Sequence, residues 1–215
     1  MTLKERYKGI LDYFIVNMPE PETELTYNDP FELIVAVILS AQCTDKRVNM
    51  ITPVLLRQFP DAGSMAEAAP EEILEFIKSC SYPNSKAKHL SEMAKMLVRD
   101  FNGTVPSDPE LLQRLPGVGR KTANVVASVI FRKPVMPVDT HVFRVAARTG
   151  LTRNAKTPLQ TELQLTGNIP GELLHKAHHW LILHGRYVCK AKNPSCDKCG
   201  ISAFCKYYSL RNKKM

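Results

Sequence analysis

An all-α fold is what this sequence predicts, with its helices grouped into two domains. Three observations carry that expectation. Apolar residues recur at three- and four-residue spacing through most of the chain, which is the period of one face of a helix. Two of these segments open with aspartate followed by proline, a side-chain cap and then a residue preset for the first turn. No pair of alternating apolar and polar runs flanks a turn signal, as a β-hairpin requires.

The periodicity predicts helices over 3–17, 31–42, 45–58, 70–79, 86–101, 108–114, 121–131, 140–149, 158–165 and 171–184. Asp29-Pro30 starts the second of these and Ser107-Asp108-Pro109-Glu110 the sixth. The run Phe31–Leu39, broken only by Glu32, has the composition of a buried strand. Its length, its Asp-Pro start and its continuation into Ala41-Gln42 favour a central helix buried on most sides. Proline-containing seams at Pro19-Glu20-Pro21-Glu22 and Arg132-Lys133-Pro134 suggest the division. A six-helix domain is expected over 22–133, and a second domain joining 1–21 to 134–215.

With 215 residues and 44% hydrophobic content, the chain can bury a core. No apolar run reaches the roughly 18 residues of a membrane span. The opening Met1-Thr2-Leu3-Lys4-Glu5-Arg6 lacks the apolar block of a signal peptide. A cytoplasmic monomer is expected, associated with the nucleoid if the source is bacterial. The net charge of +8 is uneven. From Arg186 onward eight basic residues, Lys190 and Lys192 among them, face the single acid Asp197. Such asymmetry suits a polyanionic partner.

The most informative stretch is Leu115-Pro116-Gly117-Val118-Gly119-Arg120-Lys121-Thr122-Ala123, a glycine-rich turn between two short helices. Glycines let a ligand approach the main chain closely. The following helix then aims unpaired N–H groups and its positive end at whatever docks there, which suits a phosphate. This is a helix-hairpin-helix, a grip on the DNA backbone that positions without reading bases. Gly117, Gly119 and Arg120 are its candidate contacts. Lys121 follows directly. A lysine amine attacks an electrophilic sugar carbon and holds it as a Schiff base, provided it first sheds its proton. A helix N-terminus and partial desolvation both disfavour the ammonium form.

Eighteen residues on lies Pro137-Val138-Asp139-Thr140-His141. Asp139 has the form of an N-cap. As a carboxylate it can also accept a proton or stabilise positive charge on a sugar losing its base. Further on, Cys189, Cys196, Cys199 and Cys205 give the spacing Cys-x6-Cys-x2-Cys-x5-Cys. Without an export signal such cysteines point to metal rather than disulfides. Four thiolates complete either a tetrahedral zinc site or an iron–sulfur cubane, and generic chemistry leaves both open. Cys43 and Cys80 fall outside the pattern and read as ordinary thiols.

The hairpin ending in Lys121, the Val138-Asp139-Thr140-His141 block and the cysteine-rich end together resemble the endonuclease III family, bifunctional DNA glycosylases and abasic-site lyases for oxidised pyrimidines. The resemblance runs from about Phe31 to Tyr207. It implies that damaged double-stranded DNA is the partner, that Lys121 is the Schiff-base nucleophile, and that Asp139 is the catalytic carboxylate. It further implies a [4Fe-4S] cluster on the four cysteines, with Lys190 and Lys192 on its loop contacting phosphates. His184 and Arg186, in Trp180-Leu181-Ile182-Leu183-His184-Gly185-Arg186, are candidates to donate toward the cluster sulfurs, unless they serve only helix packing. His141 counts among the DNA contacts. The segment Ser40-Ala41-Gln42-Cys43-Thr44-Asp45 resembles the one whose glutamine enters the duplex, which assigns that role to Gln42. The second wedge loop departs from the pattern. Cys80-Ser81-Tyr82-Pro83 stands where members carry a Gly–apolar–Tyr stretch, so Tyr82 falls where an apolar intercalating residue is expected. A mismatch adenine glycosylase would lack a lysine after the hairpin and would carry an extra recognition domain. A monofunctional glycosylase and a pyrimidine-dimer lyase of the same superfamily share enough of the pattern to stay open. A non-catalytic iron–sulfur DNA-binding protein is disfavoured by Lys121 together with Asp139.

Overall fold

The structure of the protein, a computed structural model, describes residues 1–212. Lys213 and Lys214 of the basic tail therefore lie outside the described residues. Among those described, all regular structure is helical. The helices are α1 (Leu3–Asn17), α2 (Pro30–Ser40), α3 (Asp45–Gln58), α4 (Ala62–Glu67), α5 (Pro70–Ile77), α6 (Pro83–Phe101), α7 (Pro109–Leu112), α8 (Arg120–Val129), α9 (Thr140–Thr149), α10 (Pro158–Thr166), α11 (Leu174–Tyr187) and α12 (Lys206–Asn212). None is long and apolar enough to cross a membrane. The chain divides into two compact units, one of residues 23–132 and the other of residues 1–22 with those from 133 onward.

The 23–132 unit is built around α2, whose residues Phe31 and Leu33–Leu39 are all buried. Asp29 caps it by accepting from the Glu32 N–H at 2.8 Å. Helices α3, α6 and α8 pack on it, and α4 and α5 pack on α6. The short α4 has no counterpart among the expected helices. Its six residues are too few to show a period. Asp61 starts it, accepting from the Ser64 N–H at 2.8 Å. Helix α6 begins three residues earlier than its apolar pattern, because Pro83 serves as its first residue.

The other unit gathers α1, α9, α10 and α11 around a core holding Ile10, Phe14, Val142, Val145, Leu165 and Trp180. Trp180 is fully buried, stacks on Phe14 with ring centroids 5.6 Å apart, and donates its indole N–H to the Met18 carbonyl at 2.7 Å. The Tyr7 hydroxyl donates to the Leu151 carbonyl at 2.8 Å, and burial pushes its phenol above the ordinary range. These bonds fasten α1 to segments more than 100 residues away in sequence. Helix α12, also absent from the expected set, follows the last cysteine.

Candidate functional site

The hairpin occupies the turn between α7 and α8. Asp108 caps α7 by accepting from the Glu110 N–H at 2.7 Å and the Leu111 N–H at 3.2 Å. Buried Leu115 and Val118 pin the turn from below, and the Val118 N–H donates to the Leu115 carbonyl at 3.0 Å. Its two glycines differ in kind. Gly117 has φ +78°, and a Cβ there would sit 2.8 Å from His89 Cβ, so the fold itself demands glycine. Gly119 has an ordinary φ of −84°, and a Cβ there would meet nothing within 4 Å. Gly119 is also the N-cap of α8, and as a glycine it makes no side-chain cap bond there. Gly119 brings no side chain of its own to the first N–H groups of α8, and it lies beside an open surface that a phosphate can approach. Arg120 and Lys121 are the first two residues of α8, and both are exposed, while Ala123–Ser128 bury its far side.

Gln42 and Tyr82 lie in the same unit, on two loops that touch. Both residues are exposed and both take left-handed backbone, with φ 54° and 55°. The Ser81 hydroxyl donates to the Gln42 carbonyl at 2.6 Å. The expected continuation of the second helix into Ala41-Gln42 is not seen; α2 stops at Ser40. A buried lysine accounts for this. The Lys86 ammonium donates to the Leu39 carbonyl at 2.8 Å and the Ala41 carbonyl at 2.7 Å. It thus closes the carbonyl end of α2 with a positive charge, and the chain turns away at Gln42. Lys86 belongs to the buried stripe of α6 with Leu90, Met93, Ala94 and Leu97. A lysine in apolar register was the available signal for this role.

In the other unit Asp139 is the N-cap of α9, and its Oδ1 accepts from the Val142 N–H at 2.8 Å. Asp139 is only partly buried. A ring nitrogen of buried His178 lies 3.0 Å from the Pro137 carbonyl, steadying the strand of chain that enters the cap. His141 is partly buried, with Nδ1 3.2 Å from an Arg144 nitrogen. Arg144 also donates to the Gly185 carbonyl at 2.8 Å and the Cys189 carbonyl at 3.1 Å. One turn further, Arg148 donates to the carbonyls of Lys190 and Ala191 at 2.6 and 2.9 Å, and approaches Cys189 Sγ at 3.7 Å. Neither arginine is marked by the sequence as a partner of the cysteine loop. Their four-residue spacing marks one helix face, but nothing local says what that face meets.

Cys189, Cys196, Cys199 and Cys205 line one pocket, together with His184, Ile201 and Tyr208. Among the described residues, no three His, Cys, Asp or Glu side chains are grouped to hold a single metal ion. Burial pushes the Cys199 and Cys205 thiols up, and the neighbouring cysteines add to it, so a set of thiolates here needs a cationic centre between them. Buried His184 places Nε2 3.6 Å from Cys199 Sγ, and burial holds its imidazole down at about 4. Lys190 and Lys192 are exposed on the loop between the first two cysteines.

Comparison with known proteins places these features in context. Residues 35–170 match the family model described as HhH-GPD superfamily base excision DNA repair protein. The chain is 48% identical to the endonuclease III of Rickettsia conorii, covering 93% of this chain and 94% of that one. It is 44% identical to the endonuclease III of Escherichia coli, over 95% and 96% of the two. Its structure superposes on that of a trapped endonuclease III–DNA covalent intermediate with a TM-score of 0.92 and 40% identity, over 99% of this chain and all of that one.

Proposed function

The chain belongs to the HhH-GPD superfamily of base excision DNA repair proteins, and within it to the endonuclease III family, and on that premise we propose that it is a bifunctional DNA glycosylase and abasic-site lyase that removes oxidised pyrimidines from duplex DNA. The observation that carries this reading is the exposed lysine in the first turn of α8, directly after a turn open to phosphate, in a chain similar over its whole length to an endonuclease III caught covalently on DNA. Lys121 attacks C1′ of the extruded nucleotide as its bond to the base breaks, and the C1′–O4′ bond then opens to leave a Schiff base. Loss of a C2′ proton then expels the 3′ phosphate by β-elimination. Asp139 serves as the proton acceptor or as the charge that stabilises the sugar cation. Its cap leaves Oδ2 for that work, since the bond to Val142 uses Oδ1. Gln42 and Tyr82 fill the space left by the extruded base, and Gly117, Gly119, Arg120 and His141 meet the backbone.

The four cysteines fit a [4Fe-4S] cluster in donor type and in lining one pocket together. Bound there, it supplies a rigid scaffold for the basic loop, so Lys190 and Lys192 meet phosphates with less loss of freedom. Iron and sulfide analysis of anaerobically purified protein should find about four of each; zinc without iron overturns this assignment.

Borohydride reduction on duplexes bearing an abasic site or thymine glycol tests the chemistry. Wild type should be trapped as a covalent adduct on both, and Lys121→Gln on neither. A wild type that is never trapped on the abasic duplex removes the lyase.

A further inference from the structure

Two cysteines outside the C-terminal set face each other in the 23–132 unit. Cys43 Sγ and Cys80 Sγ are 4.0 Å apart. A disulfide needs about 2.05 Å, so closing the bond takes roughly 2 Å of approach, within reach of side-chain rotation and a small loop shift. Their main chains are already neighbours. Cys43 donates its N–H to the Ser40 carbonyl at 3.0 Å, Cys80 to that of Ile77 at 2.9 Å, and the Ser81 hydroxyl joins the two turns through the Gln42 carbonyl. Gln42 precedes one cysteine directly, and Tyr82 follows the other by two residues. Both hold left-handed backbone, which costs a non-glycine residue energy and persists only while its surroundings enforce it. A change at either cysteine therefore reaches the residue that protrudes.

We propose that Cys43 and Cys80 form a reversible thiol–disulfide site that governs how Gln42 and Tyr82 seat in duplex DNA. The coupling to DNA rests on the reading of those two residues given above; the bond itself does not. The oxidant is a low-molecular-weight disulfide, RSSR. Cys43 is only half-buried and Cys80 is 5% exposed, so the reagent meets Cys43 first. The Cys43 thiolate attacks one sulfur of RSSR, giving a mixed disulfide and releasing one RSH after proton uptake. Cys80 then gives up its proton and attacks Cys43 Sγ, expelling the second RSH. Two protein thiols are oxidised and one RSSR becomes two RSH, with the two thiol protons carried away on the leaving groups. Burial, and next the adjacent Cys43, push the Cys80 thiol up to about 11, while Lys86 and Arg47 pull the other way. Once bridged, the two loops cannot adjust independently as they enter the base stack.

The holoenzyme is treated with oxidised glutathione, digested without reduction and mapped by mass spectrometry. A peptide linking Cys43 to Cys80, lighter by two hydrogens than the sum of its parts, is expected. Binding is measured on a duplex carrying a tetrahydrofuran abasic analogue. The bridged protein should bind about tenfold more weakly, and dithiothreitol should restore affinity. Cys43→Ser should bind as the reduced wild type does before and after oxidant, and Cys80→Ala should match it before oxidant. Glutathione stalled on Cys43 with no linked peptide overturns the proposal, as does a bridged protein that binds as tightly as the reduced one. A reduced wild type that does not bind this duplex overturns the enzymatic reading and the coupling with it, while the linked peptide still scores the bond.

Discussion

At the scale of single residues, the two proposed catalytic groups stand at helix N-termini for different reasons. Lys121 brings a cation to the positive end of α8, a placement that costs rather than stabilises. Asp139 does the opposite, completing α9 by accepting from Val142. That difference separates structure from chemistry by experiment. Asparagine caps a helix about as well as aspartate, so Asp139→Asn should keep the melting temperature close to wild type and lose most base excision. Asp139→Ala should lose excision and also about 1 kcal/mol of stability. Thermal melts beside single-turnover rates on a damaged duplex check both. An asparagine variant that excises at the wild-type rate makes Asp139 a cap and nothing more.

At the scale of the element, the hairpin assigns distinct duties to its two glycines. Gly117→Ala forces a left-handed residue and a contact with His89 at 2.8 Å, and should destabilise the protein by about 1–3 kcal/mol. Gly119→Ala meets nothing in the chain. It should cost about 1 kcal/mol or less, while weakening duplex binding if Gly119 meets a phosphate as proposed. Denaturant titration and a binding isotherm distinguish them; equal loss of affinity with no difference in stability would contradict this division. Much of the hairpin is legible in the sequence, since glycine spacing and helix starts are written in adjacent residues. The stopping point of α2 is not. Its carbonyl end is closed by a lysine 47 residues away, and no window of local sequence contains both groups. Helix α4 escapes for another reason. Six residues beginning at Ala62 carry too little periodicity to stand out.

At the scale of the whole molecule, a charge of +8 with a basic C-terminal stretch should make affinity for duplex DNA fall steeply with salt. Each phosphate contact releases about 0.9 counterion on B-form DNA. Roughly four to eight contacts would lower affinity by about four to seven orders of magnitude over a tenfold rise in salt. A plot of log affinity against log salt measures this, and a flat line would remove backbone contacts as the main source of binding. The same scale shows what holds the cysteine loop. Arg144 and Arg148 of α9, the helix that Asp139 caps, grip the carbonyls of residues 185–191.

The sequence by itself determined most of the helices, the hairpin with its lysine, the capping aspartates and the four-cysteine spacing. Each depends on residues within a turn or a short loop of one another, where propensity, periodicity and ligand spacing act directly. Only the tertiary structure decided that Lys86 ends α2, that Arg148 lies against Cys189, and that Cys43 meets Cys80. These pairs are 47, 41 and 37 residues apart. Their meeting is set by how the helices of each unit pack, and one strand of sequence carries no local record of which faces will touch.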